Sequence, residues 1–273
     1  MTTIDFITEL FCHIADRLAQ ADKEQKHSQA KLYPSEVVTL ALLYTLKGVG
    51  QRAFWRWLVR DYRPLFPHLP DRAQWAPGLF RLFNRHRALV DAFLAEPSLL
   101  GVIDSYGIEL LHPRREGRSA QQIGKKGKSN WRWHPGGTRG GKLCFVLNHL
   151  GLIVAWECDT ANVYDGSAFQ QLVDQFQDEM LLFADMGFEK VDWQPTNLRL
   201  CHRGEWNVRM VVETVLSMLT YVCHFKHMAH KSWDYFRSHL GYAMALFNLL
   251  VQWHGFQPDD SGFVRLSIAQ FSL

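Results

Sequence analysis

The sequence lacks any Cys-x-x-Cys pair. Its five cysteines, Cys12, Cys144, Cys158, Cys201 and Cys223, are scattered and odd in number. That excludes a disulfide scaffold and a four-cysteine zinc module, and suits a reducing compartment. A run of about 18 apolar residues, the minimum for a membrane-spanning helix, is also missing. The opening MTTIDFITELFCHIADRLAQ has neither the basic start nor the apolar stretch of a signal peptide, so a cytoplasmic protein is expected. Neither sign of charge dominates, with a formal balance of +3, so bulk electrostatics identify no partner. Internal repeats and low-complexity tracts are absent. What remains, 47% hydrophobic and 21% charged residues over 273 positions, excludes disorder and provides for a sizeable core.

The first third reads as helices. Ile7, Leu10, Phe11, Ile14 and Leu18 fall at helical spacing. Pro34-Ser35-Glu36 opens a second apolar helix that ends at Gly48 and Gly50, a third covers Gln51 to Asp61, and a fourth starts at Asp71 and runs to Leu94 with a disturbance at Pro77 and Gly78. Residues 1–97 are therefore expected to be a helical region, for which a helix-turn-helix DNA-binding role and a packing or dimerisation role are both open. Gln51, Arg52, Arg56 and Arg60 are its candidate contacts.

After Pro97 the pattern changes. Leu99 to Ile103 is a short apolar run ending in Asp104, and Met180 to Ala184 is another ending in Asp185. Lys142 to Asn148 and Leu152 to Glu157 suggest a hairpin, Leu198 to Cys201 a further strand, and Asp165 to Asp178 a helix. Helical periodicity resumes from Trp206 to about His230 and from Ser232 to Trp253. Residues 98–273 thus read as one α/β domain, a mixed sheet with flanking helices.

An apolar strand that stops in a carboxylate delivers it to the edge of a sheet, where α/β proteins build their sites. Glu213 stands on a helix among Val211, Val212, Val215 and Leu216. Phosphoryl transfer with two divalent ions needs several hard oxygen ligands, and two strand acids plus a helix acid supply such a set. A second cluster lies between His112 and Lys142. Arg114, Arg115, Arg118, Lys125, Lys126, Lys128, Arg132, Arg139 and Lys142 are offset there by one acid, Glu116, with Trp131 and Trp133 interleaved. Cations that neutralise phosphates gain from counterion release, and aromatics stack on bases. Gly127-Lys128-Ser129 matches the end of a P-loop, but Gln122 stands where that motif needs glycine. Cys223, His224, His227 and His230 lack a second ligand pair at zinc spacing.

GVIDSYG, LLFADMGF and WNVRMVVETVLSMLT resemble the three blocks of bacterial insertion-sequence transposases of the DDE class. The third block of that family carries Tyr-x2-Arg-x3-Glu-x6-Lys. Trp206, Arg209, Glu213 and Thr220 occupy those places, so two of the four residues are kept and the lysine is lost. PSEVVTLALLYTLKGVGQRAFWRWL is similar to the helical leader of these proteins. The resemblance implies an RNase H-like core in which Asp104, Asp185 and Glu213 are catalytic and bind Mg2+ or Mn2+. It implies cleavage of element ends, joining to target DNA, and a homodimer on DNA associated with the nucleoid. Trp206, Arg209, Lys125, Lys126, Lys128, Arg132, Arg139 and Lys142 are the expected DNA contacts. Glu205 rivals Glu213 as third acid. Arg209, one helical turn before Glu213, favours the latter. The alternatives are a non-catalytic DNA-binding derivative and an RNase H-like nuclease that does not join strands.

Overall fold

The computed structural model describes residues 1–111, 139–161, 163–189, 194–202, 209–226, 233–256 and 266–271. The side chains of 72–74, 76, 77, 109–111, 139 and 209 lie outside the description. Helix α1 (Thr3–Glu24) starts on a reciprocal cap. The Thr2 hydroxyl accepts from the Asp5 amide at 3.2 Å while the Asp5 carboxylate accepts from the Thr2 amide at 3.0 Å. One stripe of α1, including Leu10, Ile14 and Leu18, is buried, as its spacing predicts. Helix α2 (Pro34–Lys47) has Pro34 in its first turn and ends at Gly48, whose φ of 60° is the left-handed C-terminal geometry glycine tolerates. Its apolar residues surround the axis, so it is buried all round. Helices α3 (Gln51–Asp61) and α4 (Arg72–Arg85) follow, then a 3-10 stretch, Arg87–Phe93. The expected disturbance at Pro77 and Gly78 does not break α4; the irregularity comes after Arg85.

The sheet is formed by β1 (Leu100–Leu111), β2 (Arg139–Asn148), β3 (Ile153–Thr160), β4 (Leu181–Ala184) and β5 (Leu198–Leu200), in the order β3-β2-β1-β4-β5. β1, β2 and β3 form an antiparallel meander, whereas β4 and β5 run parallel to β1. This is the expected RNase H-like α/β arrangement, a mixed sheet with flanking helices. The hairpin turns at His149 to Gly151, where predicted. The segment after β3 is less regular than its periodicity predicts, giving two short helices, α5 (Asp165–Ala168) and α6 (Gln170–Asp174).

Strand alternation assigns the two faces. Leu143, Phe145 and Leu147 face a core shared with α1, α2, α7 (Arg209–Tyr221) and α8 (Trp233–His254). Ile103, Cys144 and Val146 face Phe169, Leu172 and Val173 of the α5–α6 segment. Helix α8 runs buried for most of its length and joins the N-terminal helices to the sheet in one core; Trp253 stacks on Phe6 of α1 at 5.2 Å. Asn248, fully buried on α8, donates to the Phe93 and Ile153 carbonyls and accepts from the Ile153 amide. Among the described residues no helix is long and apolar enough to cross a membrane.

Candidate active site

β1 does not stop at Asp104, as its apolar run suggests, but continues to Leu111. The apolar run marks only the part of β1 held between two strands. β4 pairs with β1 only as far as Val102↔Phe183 and ends at Ala184, while β2 pairs with β1 to Leu111. Asp104 therefore stands where the parallel part of the sheet ends. Continuing the register by two residues sets Asp104 beside Asp185, on adjacent strands about 4.8 Å apart. Both side chains point to the face on which α7 packs, because Val102 and Phe183 share their parity.

Asp185 caps the 3-10 turn Met186–Phe188 and accepts from the Gly187 amide at 2.8 Å. Asp104 accepts at 2.7 Å from the amide of Ser105. Helix α7 buries Val212, Val215 and Leu219, and that placement turns Glu213 toward the sheet's open end. The three carboxylates line one cavity of about 570 Å³, walled by Val102, Phe183 and Leu216, with Cys201 and His202 from the end of β5 at its margin. Cys144 on β2, paired with Ser105 of β1, has its thiol pushed well up, by burial first and then by the charges of Asp165 and Asp104.

The donors are hard oxygens from a central strand, its parallel neighbour and a helix, which in kind suit a divalent ion such as Mg2+. Among the described residues, however, no three His, Cys, Asp or Glu already stand as a ligand group. Gly187 has no room for a side chain, since a Cβ there would lie 2.8 Å from Asp185 Oδ1. Gly187→Ala is therefore expected to displace the Asp185 carboxylate. Strand cleavage should fall roughly tenfold to a hundredfold, the usual effect of disturbing a ligand's support, with a thermal midpoint close to the parent's. Unchanged cleavage would mean that this carboxylate position is not critical.

Other expected residues divide by location. Lys125, Lys126, Lys128, Arg132, Trp206 and the rival acid Glu205 lie outside the described residues, as do the side chains of Arg139 and Arg209. Arg209 opens α7 one turn before Glu213. Lys142 is not on an exposed loop. It lies on β2, with its ammonium 2.7 Å from Asp165 Oδ1 and bonded to the Val163 carbonyl, and its side chain is only 11% exposed. Its charge is committed inside the fold because a buried ammonium needs a partner. Thr220 bonds back to the Leu216 carbonyl of its own helix. Sequence reasoning missed Lys226, just beyond α7. Its ammonium sits 4.5 Å from the ring of Tyr106, and Tyr106 lines the cavity. No periodicity or motif signals a residue that follows a helix end. On α3, Arg60 is paired with Asp61 at 2.7 Å.

Residues 96–200 match the family model described as the transposase DDE domain. Over these 105 of its 273 residues the chain is similar to DDE-class transposases. The matched segment contains Asp104 and Asp185 but stops short of Glu213, which rests on the cavity geometry. DDE transposases cleave DNA and transfer strands, and as a class they depend on divalent metal ions. No curated protein matches the chain. Among solved structures, a pre-cleavage Mos1 transpososome matches with 14% identity over 82% of this chain and 80% of that one, at a TM-score of 0.26.

Proposed function

We propose that the chain is a DDE-class transposase that cuts the ends of an insertion-sequence element and joins them to target DNA, with Asp104, Asp185 and Glu213 as catalytic residues and metal ligands. The observation that carries the reading is that carboxylates from β1, the end of β4 and α7 line a single cavity. Two ions, Mg2+ or Mn2+, would supply the Lewis-acid and nucleophile-activating chemistry of phosphoryl transfer. The chain's own part is to hold three acids on rigid elements around one space. Lys226, over the ring of Tyr106, would bring a cation toward a phosphate. The basic stretch with Lys125, Lys126, Lys128, Arg132 and Arg139 follows β1 in sequence and contacts the DNA backbone, as do Trp206 and Arg209. The helical region 1–97 contributes DNA binding or dimerisation, and the enzyme acts as a homodimer on DNA in the cytoplasm, at the nucleoid.

A cleavage and strand-transfer assay on the DNA flanking the coding region tests this. Activity is expected with Mg2+ or Mn2+ and should be lost on chelation. Glu213→Gln should lower both steps by about 10³-fold, corresponding to several kcal/mol of lost charge stabilisation. Full activity in Glu213→Gln would remove it as third acid in favour of Glu205. Cleavage without strand transfer would identify a nuclease instead. Salt-sensitive DNA binding with no cleavage under any metal would identify a non-catalytic derivative.

A further inference from the structure

Behind the proposed site, on the opposite face of the sheet, lies a buried polar cluster. Asp165 opens α5 with its side chain 14% exposed. One carboxylate oxygen takes the Lys142 ammonium at 2.7 Å and the other accepts from the Ser105 hydroxyl at 2.8 Å. Ser105 directly follows Asp104, and its amide is the donor to Asp104 Oδ1. The same α5 segment abuts the turn after Asp185. The space at Gly187 is bounded by Asp185 Oδ1 on one side and Asp165 Oδ2 on the other, at 2.8 and 3.3 Å from where a Cβ would stand. The Tyr164 hydroxyl donates to the Glu189 carbonyl just past that turn, and Gly166 packs close to the Phe188 carbonyl.

A buried ion pair is a poor source of stability, because desolvation of both charges opposes their attraction. Here each oxygen of Asp165 is used in a fixed direction, and the bonds tie three separate pieces of chain: β2 through Lys142, β1 through Ser105, and α5. We propose that Lys142, Asp165 and Ser105 are positioning residues, a brace through the sheet that sets the Asp104 carboxylate relative to Asp185 before a metal ion arrives. The inference rests on Asp104 and Asp185 being the metal ligands. Partners one step behind a ligand orient it, and their loss commonly costs roughly tenfold to a hundredfold in metal affinity.

The test is Mn2+ binding to the full chain, followed by the electron paramagnetic resonance signal of free Mn2+, without DNA or turnover. Ser105→Ala removes one hydroxyl from the brace and is expected to weaken Mn2+ binding about tenfold. Ser105→Thr keeps the hydroxyl and should restore the parent affinity, with matching thermal midpoints for the two variants. Asp165→Asn should weaken binding at least as much as Ser105→Ala. Parent-like affinity in both Ser105→Ala and Asp165→Asn, or equal weakening in Ser105→Ala and Ser105→Thr, would overturn the brace. Asp104→Asn separates the two ideas. If it leaves Mn2+ binding intact, the site assignment itself fails; if it abolishes binding while the Ser105 and Asp165 variants bind normally, only the brace fails.

Discussion

Asp185→Asn should reduce strand cleavage by about 10³-fold or more while leaving DNA binding nearly unchanged. Asparagine has almost the same volume, and its amide oxygen can still accept from the Gly187 amide, the 2.8 Å bond that shapes the turn after β4. The fold around residue 185 is therefore retained and the change is confined to charge. Removing one negative ligand from a metal site forfeits several kcal/mol of transition-state stabilisation, each 1.36 kcal/mol being a factor of ten in rate. DNA affinity rests mainly on cations facing phosphates, so losing one acid should not weaken it. The measurement pairs single-turnover cleavage with a binding titration at fixed salt. Cleavage within tenfold of the parent would show that Asp185 only terminates a strand, and the two-aspartate site would have to be abandoned.

The largest expected stability effect lies away from the site. Asn248→Leu should lower the thermal midpoint by roughly 10 °C or more, since about 1 kcal/mol shifts a chain of this size class by ~2–4 °C. Asn248 is fully buried on α8. Its amide donates to Phe93 O at 3.0 Å and to Ile153 O at 2.7 Å, and its oxygen accepts from Ile153 N at 2.8 Å. Leucine fills similar space but takes away the side-chain partner of the Phe93 carbonyl and the Ile153 amide, while the Ile153 carbonyl keeps its bond from the Ala95 amide at 2.9 Å. Each unsatisfied buried group costs roughly 1–3 kcal/mol, so the sum is about 3–5 kcal/mol. The residue links the 3-10 stretch after α4, the central helix and β3, so its loss loosens the seam between the N-terminal helices and the sheet. A midpoint within about 3 °C of the parent's would mean that water or a backbone shift satisfies those groups.

The helices and strands were largely legible in the sequence because their signals are local. Apolar spacing places α1, Pro34 and Gly48 bracket α2, and two short apolar runs mark β1 and β4. Local signals failed where the environment was not uniform along an element. β1 reads as ending at Asp104 because only its first part lies between two strands; the remainder pairs with β2 alone and carries Ser105, Tyr106 and Gly107. The segment after β3 has helical periodicity yet folds as two short turns about Phe169. Lys142 reads as one cation of a basic loop, but strand pairing carries it into contact with Asp165, 23 residues later.

By itself, the sequence determined the class of chemistry. Two apolar runs that lead into an aspartate and an Arg-x3-Glu helix are short-range patterns, and the transposase DDE domain match over 96–200 covers the two aspartates. Only the tertiary structure decided that these acids, 81 and 28 positions apart along the chain, face one cavity, and that Lys226 lies over the ring of Tyr106 in its lining while Lys142 is withdrawn behind the sheet. The physical reason is register. Which side chain stands beside which depends on how β1 pairs with β4, and on the face α7 buries through Val212, Val215 and Leu219. Those are long-range packing choices, and no window along the chain contains them.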